Sequence, residues 1–136
     1  MAASNLTFIP DLDVTRDDLT FKLRVINLWH QMCFYKKTEI WSIEMILLDE
    51  KGNKIQATVS KRNIYRFKYI LKEGMAFYIK GPDFAALKID AFRLTPQDQK
   101  LTFVQQTVVT ECIDFCLFGL LLFFFNSNAI INMSPF

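Results

Sequence analysis

Glycine and proline are scarce in this 136-residue chain, four of each, which excludes collagen-like repeats and proline-rich low-complexity sequence. Cysteine is scarcer: Cys33, Cys112 and Cys116 form an odd set, too sparse for a disulfide scaffold. Cys112 and Cys116 are spaced Cys-x3-Cys but lack a fourth ligand, so no metal is expected. His30 is the single histidine, and no Ser/Asp pair stands at a suggestive spacing from it. The chain also lacks a phosphate-binding glycine loop, a dinucleotide turn and a credible carboxylate pair. The expectation is a protein that is not an enzyme, with no cofactor and no small-molecule substrate. No basic stretch leads into an apolar run at the N-terminus, so no secretory signal is expected. Hydrophobic residues, at 51%, are numerous enough to build the core of one domain.

The formal charge of +2 averages over unlike regions. Residues 1–19 carry Asp11, Asp13, Asp17 and Asp18 against Arg16, a balance of −3. Residues 20–110 carry 15 basic and 8 acidic residues, a balance of +7. Residues 111–136 carry only Glu111 and Asp114. The reading is an acidic lead-in (1–19), a basic domain (20–110) and an apolar tail (111–136) of doubtful role. Six of the 14 phenylalanines fall in that tail. Its uninterrupted apolar stretch, 115–125, has 11 residues, whereas a membrane-spanning helix needs about 20. Membrane tethering is therefore the lesser reading. Another reading takes the tail as a translated intron or frayed gene end.

Period-two alternation marks strands over Thr20–Phe34, Glu39–Leu48 and Lys54–Ser60. Phe21, Leu23, Val25 and Trp29 share one face, as do Trp41, Ile43, Met45 and Leu47, so both tryptophans are expected in the core. His30 is expected to face solvent. Asp49-Glu50-Lys51-Gly52-Asn53 reads as a solvated turn. Ser60 is placed to cap a helix through Leu71, with Ile64, Phe67 and Leu71 as its apolar stripe. The cations on its other faces read as a solvated surface away from any binding face. Gly74 ends the helix. Further strands are expected over Met75–Lys80, Leu87–Leu94 and Lys100–Val108. Three strands, a helix and further strands fit a five-stranded, all-β Greek-key barrel of the oligonucleotide/oligosaccharide-binding (OB) type, its helix capping one end between strands three and four. An open sandwich is the alternative.

The stretches Glu39–Met45, Asp49–Gly52, Ile55–Thr58, Met75–Ile79, Leu87–Ile89 and Leu101–Phe103 together resemble the first DNA-binding domain of replication protein A large subunits, nearest the plant large-subunit-like group. The resemblance spans about residues 6 to 110. It implies an OB barrel in the nucleus that binds single-stranded DNA during replication, repair and recombination, with other replication protein A subunits as further partners. Phe92 falls at a base-stacking position and Lys88 at a backbone-contacting one. The Phe34–Thr38 loop, with Phe34, Tyr35, Lys36 and Lys37, stands where the family has an aromatic and basic clamp. Gln56 replaces a DNA-contacting arginine, Ser60 a second stacking aromatic, and Lys100 an acidic groove residue. The changes at Gln56 and Ser60 motivate the alternative, a protein-interaction OB domain.

Overall fold

A computed structural model describes residues 5–87 and 94–118. Alternating apolar residues build β1 (Thr20–Met32), β2 (Ile40–Leu48) and β3 (Lys54–Ser60), a meander of antiparallel neighbours. β4 (Ala76–Lys80) returns along the free side of β1. β5 (Asp83–Ala86) pairs with β6 (Gln99–Phe103), which runs parallel to β3, and β7 (Val108–Cys112) pairs with β4. The order is β5-β6-β3-β2-β1-β4-β7. β4 and β5 lie far apart in that order, yet only Gly81 and Pro82 separate them in sequence. They act as one strand bent at Gly81 (φ 69°), and the bend curls the sheet on itself. Counted so, five strands make the expected OB barrel and β7 is added outside it. Phe21 of β1 meets Phe84 of β5 across the interior, ring centroids 6.2 Å apart.

The strands differ from expectation at two edges. Asp83–Ala86 is the strand after the bend; of the stretch expected at 87–94, residues 88–93 lie outside the described residues. The stretch expected at 100–108 turns after Phe103, where Val104 N–H donates to Thr107 Oγ1, and restarts as β7. β7 thus crosses residue 110, the expected domain edge.

The helix is also shorter. A 3-10 turn (Lys61–Asn63) leads into one α-helical turn, α1 (Ile64–Phe67), and Ser60 makes no side-chain capping bond. β-branched and aromatic residues (Ile64, Tyr65, Phe67, Tyr69, Ile70) lower the intrinsic preference, and 61–72 itself holds no acid to form i,i+4 pairs with its five cations. The apolar stripe survives: Ile64, Phe67 and Leu71 are buried, and Phe67 packs edge-on to Phe103.

Neither tryptophan is in the core. β1 pairs Val25 with Leu47 and then Asn27 with Ile46, so Ile26 is an extra residue. Such a bulge reverses the alternation beyond it. Leu28 takes the inward place and Trp29 turns outward, opposite Glu44. A second shift pairs Gln31 with Ser42 and Met32 with Ile40, leaving Trp41 as the extra residue while Ile40 packs inward.

Asp49 and Glu50 are buried, not solvated. Asp49 accepts hydrogen bonds from the backbone N–H groups of Ile9, Lys51 and Asn53 and from the Asn53 side chain. Glu50 pairs with Lys22 at 3.0 Å and accepts the Cys116 N–H. Residues 113–118 therefore fold back over β1. Asp114 joins Lys22, Tyr78 and Cys112, and the Phe118 N–H donates to the Glu50 carbonyl. Among the described residues no helix is long and apolar enough to cross a membrane.

Candidate functional site

Outward-facing residues of β1, β2, β3 and β6 form three rows across the sheet, since residues paired directly across strands share a face. Gln31, Ser42 and Ser60 make one row; Trp29, Glu44, Thr58 and Thr102 the next; Asn27, Ile46, Gln56 and Lys100 the third. A groove of about 770 Å³ lies over this face. Trp41, Ser42, Glu44, Thr58, Ser60 and Lys100 line it, and Lys61, Arg62 and Asn63 close one end.

The floor is a connected polar network. Ser42 donates to one Glu44 oxygen at 2.6 Å and Thr58 to the other at 2.9 Å, while Lys100 Nζ reaches Thr58 Oγ1 at 3.2 Å. Glu44 thus sets a fixed negative charge beside the Lys100 cation. Among the described residues the buried Gln56 Oε1 has no hydrogen-bond partner.

Past the end of β1 the loop turns back through Cys33 N–H to the Glu39 carbonyl, and Phe34 and Tyr35 stand out at 85% and 90% exposure. Their rings pack edge to face at 5.2 Å, with Lys36 and Lys37 exposed beside them. Lys61 bridges to Glu39 at 2.7 Å and lies 5.7 Å from the Trp41 ring centroid. That bond with Glu39 raises the Lys61 pKa and lowers the Glu39 pKa.

The structure therefore brings Gln56 and Lys100 onto one face, while Phe34, Tyr35, Lys36 and Lys37 form a separate exposed loop. Lys88 and Phe92 lie outside the described residues. The sequence reading missed Trp29, Trp41, Glu44, Lys61 and Arg62. The tryptophans were hidden by the bulges, which leave no mark on simple alternation. The basic segment after Ser60 is not wholly a solvated surface away from this face, because its first residues border the groove. The signal available for Glu44 was its period-two step from Ser42.

The model of the family described as a domain of unknown function, DUF223, matches residues 12–132. The chain belongs to this family. The match continues well past Val109, so the tail to residue 132 falls within the family pattern, which argues against a translated intron there. No curated protein matches the chain. Among solved structures, a replication protein A heterotrimer bound to ssDNA contains a chain 23% identical, at TM-score 0.63, over 80% of this chain and 25% of that one. DNA binding domain A of S. cerevisiae replication protein A is 25% identical at TM-score 0.57, over 80% of this chain and 95% of that domain. Fission yeast Pot1, solved with ssDNA, is 12% identical at TM-score 0.50, over 71% of this chain and 36% of that one. The chain spans about a quarter of the first of these. This DUF223 member is an OB-fold domain similar to those of replication protein A.

Proposed function

We propose that this domain binds single-stranded DNA with little sequence preference. The observation that carries the reading is the polar groove over β2, β3 and β6, floored by Lys100 and neighboured by a loop that exposes two aromatics beside two lysines. Sequence-tolerant binding needs cations for phosphates and aromatic faces for bases. Lys36, Lys37 and Lys100 supply the first, with Lys88 as the resemblance implies. Phe34 and Tyr35 supply the second, with Phe92. Structural relatives solved with ssDNA support the same reading. Plant large-subunit-like membership, a nuclear location and association with other replication protein A subunits belong to the proposal. No chemical step is part of it.

Glu44 favours one competing occupant, a protein segment, because its carboxylate repels phosphate. Fluorescence anisotropy with labelled oligo-dT at low salt tests the choice. A lone module is expected to bind at about micromolar affinity or weaker, with Lys36→Ala/Lys37→Ala weakening it further. No binding at high protein concentration, with capture of another subunit in pull-down, overturns the DNA reading.

A further inference from the structure

We infer that Trp41, which lines this groove, and Trp29, which stands beside it across from Glu44, form a base-stacking platform with unpaired nucleobases as the ligand. The inference rests on the single-strand reading but names a surface on β1 and β2 that the resemblance does not supply. There the stacking positions fall at Phe92 and at a site where this chain has Ser60.

Straight alternation would bury both indoles. Two separate irregularities put them outside, each replaced inward by an aliphatic neighbour, Leu28 in one case and Ile40 in the other. Trp29 stays 37% exposed and Trp41 54% exposed, while Leu28 and Ile40 beside them are partly buried against the core. Leaving so much aromatic area in water forgoes burial that a core place would provide.

Their surroundings suit bases. Trp29 lies opposite Glu44, in the row that continues through Thr58 to Thr102. Trp41 lines the groove beside Ser42. The Lys61 ammonium, paired with Glu39, lies 5.7 Å from the Trp41 ring centroid at the groove end, where it could exchange that partner for the phosphate that follows a stacked base. Glu44 lies directly across from Trp29 and three residues along β2 from Trp41 and repels phosphate, so it turns the bases, not the backbone, toward the floor. Its carboxylate can also accept from a base amino or imide N–H.

Trp29 and Trp41 are the only tryptophans in the chain, so their emission reports this site directly. The full chain is titrated with oligo-dT while intrinsic tryptophan emission and anisotropy of a labelled oligonucleotide are both followed. Binding is expected to quench the emission along the anisotropy isotherm. Trp29→Ala and Trp41→Ala should each weaken binding about 5- to 150-fold, and Trp29→Phe and Trp41→Phe should recover part of the loss. Circular dichroism of each variant confirms that it is folded. Wild-type protein that binds with unchanged emission, or folded alanine variants that bind as tightly as wild type, would overturn the platform and leave the single-strand reading standing. Wild-type protein that does not bind overturns both.

Discussion

Asp49 takes three backbone N–H groups from two chain segments into one carboxylate. Hydrogen bonds to a charged, buried acceptor are worth more than neutral ones, and removing it strands the donors. Asp49→Ala is expected to destabilise the domain by about 3 kcal/mol, read as a lower midpoint in urea unfolding. At Glu44 the expectation reverses for binding. Glu44→Gln removes a charge that opposes phosphate, so oligo-dT affinity at low salt should rise about twofold. The sequence made Asp49 and Glu50 look like solvent residues because turn composition records φ preferences and not which other segments arrive. Ile9 lies 40 positions from Asp49 and Cys116 lies 66 from Glu50, beyond the reach of local pattern. Trp29 and Trp41 were misplaced for a more local cause: one inserted residue reverses a period-two face and costs nothing visible in composition.

Strands are the elements the sequence displays best. The faces Phe21, Leu23, Val25 and Ile43, Met45, Leu47 are buried as alternation requires. The bend between β4 and β5 was visible as Gly81-Pro82, though not that it closes the barrel. At Gly81 the left-handed backbone (φ 69°) resists a side chain, while the Asp17 carbonyl, 3.4 Å from an added Cβ, would make only an ordinary contact. Gly81→Ala should cost about 1–2 kcal/mol in the same unfolding assay.

The 113–118 segment gives a pH expectation. Asp114 is held below its ordinary value near 3.8 by the Cys112 thiol, with Lys22 and Tyr78 assisting. Burial opposes the charge on Lys22, but the hydrogen bond and charge of Glu50 outweigh it and the pKa rises above 10.5. The Asp114 contribution is complete above about 3.8 and is lost as pH falls through its lower folded value. The Lys22 contribution is complete below 10.5 and is lost as pH rises through its raised one. The Cys116 amide resonance should therefore hold steady between about pH 5 and 9 and move only in stronger acid or base. A midpoint near neutrality would contradict this attachment.

For the whole molecule, the +7 of residues 20–110 matters more than the overall +2. With three or four phosphates contacted, log affinity should fall with log salt at a slope of about −2 to −3. A flat salt response would contradict phosphate contact. The barrel class and the β1–β2–β3 meander were legible because each of those strands carries its own pattern. Where the folded unit stops was not, because β7 and the residues after it are held by partners distant in sequence.

Both outer segments converge on the β2–β3 turn. Phe8 meets the Phe118 ring at 6.1 Å, Lys51 lies over Phe8, and Asp49 and Glu50 each hold one segment. The Phe34–Lys37 loop lies at the opposite end of β2. The ends of the described stretch, residues 5 and 118, therefore approach one turn, and the order of 5–118 can be rotated. A circular permutant that joins residue 118 to residue 5 through a short Gly/Ser linker, opened between Lys36 and Lys37, should fold as the parent does while its severed loop grips DNA less well. Folding and grip would then be separated in one molecule without substituting any residue of 5–118.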